Sequence, residues 1–529
     1  MVNILLENNL IHAWQRFPCG YVKGFAFWDT ELLQAECLCR KVAEAWAENC
    51  LDECLYRLNG SFSMVLIREG RCLLIADKLK TYPLLYYKTE NGYSVTDSGI
   101  TAWQTIGDRA FSELSVCEYL SAGHVGENRT LLRDCHVVPA TSYVLLEEGQ
   151  VREKSYDRPV EKQYLLQTSD LFELDSVLRQ VAERMWKIAA GRPVAIPLSG
   201  GYDSRLLACI CKKYGFPRVI CYTYGIKESP EVAISRRVAD QLDLEWLFVE
   251  YTPEKWANFI ENPDFEYYLH YGGNLKSIAH IQDIVAIREL KEKKLLPENA
   301  LIMPGHSGDM LGGSHFPNGL TRQNIARKIF GKYFNVNFLT PKNKRFVIKA
   351  LASVLENAGE SEESLLEAFF DWGVRNRQSN LIVNSVRAYE YEGFDWYLPL
   401  WDDAFVRYWR SIPCCERKGS AIYEDALFSI CFRPFGVDFR KDKREVLRPM
   451  PIRILRKIFP SEQRYLLKAG LKKTGAGLFE QERNALDEAG KLIQKKDFCK
   501  KDPHVRHVKT DSMGMKALYY LSLLRRTTR

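Results

Sequence analysis

No apolar run in the chain approaches the roughly 18 to 20 residues that a bilayer crossing needs, so no membrane span is expected. Internal repeats and low-complexity stretches are also missing. Glycine and proline are not in excess: 33 and 21 in 529 residues exclude collagen-like and Pro-rich fibrous chains. The opening MVNILLENNLIHAW lacks the basic stretch and small-residue cleavage site of a signal peptide, and a cytoplasmic location is the expectation. No CxxC pair occurs, and the 15 cysteines are an odd number scattered along the chain. They read as reduced small hydrophobes rather than as a disulfide framework or a zinc site.

What is present is an ordinary globular composition, 46% hydrophobic and 27% charged, at a length that predicts more than one domain. The net charge of +7 is uneven, since residues 431–529 carry 25 Lys or Arg against 11 Asp or Glu and the remainder is net negative. A basic tail attracts nucleic acid or anionic surfaces. The segment RILRKIFPSEQRYLLKAGLKK, however, alternates charge with Leu and Ile, as a packed helix with a solvated face does. Residues 431–529 are read as a basic, mainly helical C-terminal extension, and no direct nucleic-acid partner is expected.

Residues 1–155 read as a predominantly β domain. Stretches 62–67 and 72–76 are expected as adjacent antiparallel strands, with further strands at 82–87, at 142–146 and from 151 onward. Two covering helices are expected near 33–48 and 112–120. The period then changes: Leu171, Leu174, Val177, Leu178, Val181, Met185 and Ile188 recur at three- and four-residue steps, an amphipathic helix. Beyond it, strands at 194–198, 219–224 and 245–249 alternate with helices at 204–214 and 230–242. That alternation predicts an α/β second domain, 170–430, with a parallel sheet and helices on its faces.

The chemistry concentrates in two loops. After the apolar strand comes Ser199, Gly200, Gly201, Tyr202, Asp203, Ser204 and at once a helix. Two glycines allow close approach of a ligand, and the helix start presents unpaired N–H groups, so this is an anion site best suited to phosphate. It matches neither GxxxxGK[ST] nor GxGxxG. Asp203 would repel phosphate unless a divalent cation lay between them, or else it merely caps the helix. A second cluster, Gly305, His306, Ser307, Gly308, Asp309, Met310, Leu311, Gly312, Gly313, follows the apolar LIMP. In an open parallel sheet both loops would face one crevice, where Asp203 and Asp309 could share one magnesium-polyphosphate.

The segment SGGYDS resembles the SGGxDS pyrophosphate loop of the N-type ATP pyrophosphatases, specifically the synthetase domain of the asparagine synthase family. GHSGDMLGG is similar to that family's GEGxDE...GG loop, and residues 385–413 to its E.R.PFLD segment. Upstream, LNGSFSMVL, ADKLKTYPLLYY and ENRTLLRDCHVVPA resemble its glutaminase-like domain. The resemblance implies an N-terminal Ntn-hydrolase-like αββα domain of the class II glutamine amidotransferase type. A PP-loop synthetase domain of the adenine-nucleotide α-hydrolase-like kind would follow it. It implies ATP and Mg2+ as cofactors, and attachment of AMP to a carboxylate that an amine then displaces. On that resemblance Ser199, Gly200, Gly201, Asp203 and Ser204 hold the pyrophosphate end of ATP, and Asp203 and Asp309 bind magnesium. Backbone at Leu198 and at Tyr224 and Gly225 walls the adenosine, Gly305 lies beside the acyl-adenylate, and Lys418 or, less well, Arg417 is the downstream pyrophosphate clamp.

Two departures shape the functional expectation. Glutamine-dependent members use an N-terminal cysteine, whereas this chain begins Met1, Val2, Asn3 and its earliest cysteine is Cys19. The first domain is therefore expected to be a degenerate glutaminase, with nitrogen from free ammonia, a substrate amine or an ammonia-supplying partner. His306 stands where the family has Glu, and Met310 where it has another acid. With an ordinary pKa of about 6.5, His306 would take a proton from the amine, or else it bonds loop backbone. Trp256, Phe259, Phe265, Tyr267 and Tyr268 are either an aromatic wall suited to a sugar or peptide carboxylate or core of the helical layer. Three readings result: an AMP-forming carbon–nitrogen ligase acting on a small-molecule, sugar or peptide carboxylate; an asparagine synthase (glutamine-hydrolysing) acting on aspartate with a partner or unrecognised glutaminase; and a catalytically inactive regulatory or scaffold homologue.

Overall fold

The central strands of the first lobe are apolar on both faces because both faces are covered, whereas the edge strand Gln150–Ser155 is exposed throughout. The computed structural model describes residues 2–7, 11–162, 169–335, 338–439, 485–500, 502–504 and 512–526. A seven-stranded sheet runs β11 (Gln150–Ser155), β10 (Ser142–Glu147), β6 (Arg71–Ala76), β5 (Leu58–Arg68), β3 (Gly20–Trp28), β2 (Gln15–Phe17), with β4 (Glu31–Gln34) also on β3. All its pairings are antiparallel. A four-stranded sheet runs β1 (Val2–Leu5), β8 (Gly92–Thr96), β7 (Leu85–Thr89), β9 (Cys135–Val137). With period 2, Met64 and Leu66 face α1 (Ala35–Ala47) and α2 (Leu51–Arg57), while Val65 faces the smaller sheet's Tyr86 and Val95. Leu85 and Tyr87 turn outward onto α3 (Gly99–Thr105), which completes the αββα stack.

The expected strands are present, the one expected at 82–87 shifted to β7 (Leu85–Thr89), and so are both expected helices, the second as α4 (Glu113–Ala122). Its Ser112 caps the Ser115 N–H and Gly123, at φ +76°, ends it. Helices α2 and α3 escape a periodicity reading because each is 7 residues long, too short for an apolar stripe to repeat.

The second lobe begins with α5 (Ser169–Ala189), followed by β12 (Val194–Pro197), α6 (Tyr202–Lys213), β13 (Val219–Gly225), α7 (Pro230–Leu242) and β14 (Glu245–Glu250). After α8 (Pro253–Glu261), α9 (Asp264–Gly273) and α10 (Ile284–Glu292) come β15 (Leu301–Ile302) and, much later, β16 (Asp395–Trp396). The five strands lie in the order β14-β13-β12-β15-β16, all parallel. Pro197 ends β12, where a missing N–H is tolerated. All 15 cysteines are free thiols.

Two expectations change. Trp256, Phe259, Phe265 and Tyr268 are no more than 4% exposed and pack into the core with α10, so they form no wall for a sugar or peptide; Tyr267 alone of the five is exposed. The basic tail is also not simply appended, since helices Ala485–Lys495 and Ser512–Arg526 bury Ile493, Leu518 and Leu521 in that same core. The segment 453–473 that suggested a solvated helix lies outside the described residues. No helix among the described residues is long and apolar enough to cross a membrane.

The lobes are joined at Asp402. Its fully buried carboxylate accepts Arg184 Nε at 2.5 Å and Nη2 at 2.6 Å from α5, Asn59 Nδ2 at 3.0 Å from the first lobe and the Ala404 N–H at 2.9 Å. Removing one member of a buried charge pair leaves the other desolvated and unpaired. Arg184→Met and Asp402→Ala are each expected to lower unfolding free energy by about 3–5 kcal/mol in chemical denaturation, and the exposed Arg40→Met by less than about 0.5 kcal/mol.

Candidate functional site

The chain builds β12, β13 and β14 outward in one direction, then returns to add β15 and β16 on the other side of β12. In open parallel sheets this reversal opens a crevice beyond the carboxyl ends of the two central strands. The loops that leave β12 and β15 are residues 198–201 and 303–307, the two glycine-acid segments of the sequence.

The two loops interlock. Asp203, half-buried in the first turn of α6, accepts the Asp309 N–H at 3.0 Å on Oδ2 and the Tyr423 hydroxyl at 2.9 Å on Oδ1. Ser199 and Ser204 hold the first loop's shape, the Ser199 N–H and hydroxyl each 3.1 Å from Ser204 Oγ and the Gly201 N–H 3.1 Å from Ser199 Oγ. A Cβ at Gly305 would stand 2.5 Å from Ser204 N, and one at Gly308 would meet the Tyr423 hydroxyl and the Asp203 carboxylate. The glycines thus serve close packing of loop on loop.

Burial, and then the charge of Asp309, push the Asp203 carboxyl up to about 7. Asp309 is exposed, and its Oδ2 takes Ser314 Oγ at 2.8 Å with His315 Nε2 3.8 Å away. Facing it is a basic group that the sequence reading missed. Burial lowers Lys332 to about 8 and His315 to about 4, with Asp309 opposing both shifts. Arg377, half-buried over the Tyr333 ring at 5.2 Å, has no carboxylate partner among the described residues. Tyr423, Lys332 and Arg377 come from distant helices, and nothing in their local sequence marks them.

His306 is half-buried, with Nε2 3.2 Å from Ser385 Oγ and Nδ1 enclosed without a hydrogen-bond partner. Burial lowers its pKa to about 4 against the pull of Asp283, so the ordinary value expected from sequence does not hold and the ring is neutral at pH 7. Met310 is buried, its Sδ 2.8 Å from Gln378 Nε2, and Ser307 Oγ donates to Gln378 Oε1 at 2.6 Å. Gln378 belongs to a ten-residue π-helix, Gly373–Ile382, a rare geometry that recurs at functional sites. The same π-helix reaches the first lobe through Asn376, which takes the Glu127 N–H at 2.7 Å, and Asn380, which takes Lys80 Nζ.

Leu198 is buried and bonded to Tyr222, and Gly225, at φ +137°, has open space where a side chain would be. Tyr224 stacks on Tyr251 at 5.2 Å and donates to Asp283 at 2.5 Å. Lys418 lies beside the second loop through the Gly419–Gly313 backbone bond, but its ammonium is 2.6 Å from Glu362 Oε1 rather than at the acids. Its neighbour Arg417 is buried and donates to the Leu311 carbonyl at 2.5 Å, bracing that loop.

Residues 173–419 match the family model for asparagine synthase. This span is an asparagine synthase domain. Among curated proteins, no sequence matches the chain. Solved structures similar to it include an NMN synthetase from Francisella tularensis, at 14% identity over 40% of this chain and 97% of that one with a TM-score of 0.23. Another is an NH3-dependent NAD synthetase from Campylobacter jejuni, at 14% over 39% and 93% with a TM-score of 0.22. A third is a glutamine phosphoribosylpyrophosphate amidotransferase from B. subtilis, at 7% over 67% and 74% with a TM-score of 0.19. At such TM-scores none of the three bears on the chemistry of the synthase domain.

Because Gly305 is locked against Ser204, Gly305→Ala is expected to misplace the loop and cost about 1–3 kcal/mol in unfolding free energy. Gly331→Ala, in a helix with nothing within 4 Å of its would-be Cβ, is expected to stabilise by about 0.5–1 kcal/mol. Denaturant titration measures both.

Proposed function

We propose that the synthase domain is an ATP-dependent, AMP-forming ligase that adenylates a substrate carboxylate and joins it to ammonia or an amine. The observation that supports this most is the meeting of Asp203 and Asp309 at the sheet's switch point, with Asp203 pushed up to about 7 by burial and its neighbour's charge. Two crowded carboxylates beside a phosphate-type loop suit a hard divalent cation. Asp203 and Asp309 would hold Mg2+, which when bound offsets the charge of the polyphosphate.

Ser199, Gly200, Gly201 and Ser204 would cradle that polyphosphate at the N-terminus of α6. Leu198, Tyr224 and Gly225 would border the adenosine. The substrate carboxylate oxygen attacks the α-phosphorus, the α–β anhydride bond breaks and pyrophosphate leaves. The amine nitrogen then attacks the acyl carbon, the acyl–oxygen bond breaks, AMP leaves and the surplus proton passes to solvent. Lys332, which feels the charge of Asp309, and its neighbour Arg377 would offset negative charge on the departing pyrophosphate, and they suit a clamp better than Lys418, which Glu362 occupies. With a pKa of about 4, His306 is too weak a base to carry the proton; its free Nδ1 lone pair suits orienting the amine beside Gly305.

The reading of an inactive homologue draws on Met310, a buried thioether where the resemblance leads one to expect an acid. A pyrophosphate-release screen with Mg-ATP separates the two, offering aspartate, peptide and uronic-acid carboxylates, each with ammonia and with a primary amine. Release is expected for at least one pair. Asp203→Asn and Asp309→Asn should each lower it at least about 100-fold, with the double variant little worse than either. Failure of the folded wild-type protein to bind Mg-ATP would retire the ligase reading.

A further inference from the structure

Between the lobes, away from the two glycine-acid loops, lies a cavity of about 40 Å³, room for roughly three water molecules. Lys23 of β3, Tyr82 and Asp97 border it from the first lobe, and Tyr267 and His270 of α9 and Arg387 from the second. Its buried carboxylates are used up, while Glu7, exposed at the rim, takes the Thr101 hydroxyl. The Asp97 carboxylate takes the Glu7 N–H at 2.8 Å, Trp14 Nε1 at 2.8 Å and Lys23 Nζ at 3.3 Å. Glu390, behind Arg387, takes Tyr271 at 2.9 Å, Trp396 Nε1 at 2.8 Å and Arg387 Nη1.

The donors are not used up. Lys23, 3% exposed, has three N–H bonds and a single long contact to Asp97; two remain, above the Tyr82 ring at 5.5 Å. Arg387, 7% exposed, spends Nη1 on Glu390 and Nη2 on the Thr81 carbonyl and keeps Nε without a partner. Tyr82, 2% exposed, has a hydroxyl with no partner. Buried donors left over around one cavity, two of them on cations, call for an acceptor that carries negative charge.

We infer that this interlobe cavity binds the carboxylate of a small organic acid, held by Lys23, Arg387 and the Tyr82 hydroxyl. The space admits a planar carboxylate and not a much larger group, so the rest of the acid lies toward the mouth, against Tyr267, which is 57% exposed. The site is separate from the two glycine-acid loops, although Arg387 lies two residues from Ser385, whose hydroxyl meets His306. The inference stands whether or not the chain is a ligase.

The test is titration calorimetry of the full chain with acetate and with succinate, inorganic phosphate serving as the control. Both carboxylates should bind in preference to phosphate. Tyr82→Phe deletes only an unpartnered hydroxyl, so it should fold with a Tm no lower than wild type in carboxylate-free buffer while binding both acids about tenfold more weakly. Tyr267→Ala, at the mouth, should weaken succinate and spare acetate. Equal binding by wild type and Tyr82→Phe, no binding by wild type, or phosphate binding as tightly as acetate would each overturn the assignment. Loss of Mg-ATP binding without loss of acetate binding would count against the ligase reading alone.

Discussion

One buried carboxylate organises the molecule. Asp402 caps the helix Asp403–Ser411, anchors α5 through Arg184 and receives Asn59 from the first lobe, and the Asp403 N–H returns a bond to Asn59 Oδ1 at 3.1 Å. A charge held this deep is tolerable only when every lone pair is answered, so the register of α5, the path after β16 and the docking of the first lobe depend on one another. The position of α5 in turn backs the sheet whose reversal opens the crevice.

Most of the architecture was legible because its physics is local. Strands β5 and β6 announce themselves as apolar runs, since alternate side chains enter two different cores; the helix–strand alternation after residue 169 announces a parallel sheet. The two glycine-acid loops were legible because glycine at a close approach and acid beside a phosphate-type nest leave a mark on six to nine consecutive residues. Tyr423, Lys332 and Arg377 left none. Tyr423 meets Asp203 across 220 residues of chain, and such a meeting is decided by how helices pack.

The aromatic residues of α8 and α9 show the same limit from the other side. Trp256, Phe259, Phe265 and Tyr268 recur at helical spacing, which states that one face is apolar but not what covers it. Here α10 and the final helix Ser512–Arg526 cover it, an element some 250 residues later whose apolar residues looked like one side of a basic tail. Lys418 shows how little a local pattern says of direction: its backbone lies beside the loop, yet its ammonium points to Glu362.

Asp402 and the π-helix that braces the second loop also set an order of assembly. Asn59 waits for Asp402, 343 residues later; Lys80 waits for Asn380, 300 later; and the Glu127 N–H waits for Asn376, 249 later. At a synthesis rate of about 5–20 residues per second the first of these delays is on the order of 20 to 70 s. During that interval the first lobe can close its own sheets, whose pairings are mostly short in sequence, but the groups along its docking edge have no protein partner yet. Those groups, an amide, an ammonium and a peptide N–H, are content in water, but they are not the whole edge: Phe25 and Phe27 later enter the second lobe's core, and Tyr82 and Tyr119 pack on Trp396 and Tyr520. The nascent lobe therefore carries an apolar face that only its mate covers. A two-lobed chain whose halves share cores across such distances is most prone to aggregate on the ribosome in the interval before its second lobe is made.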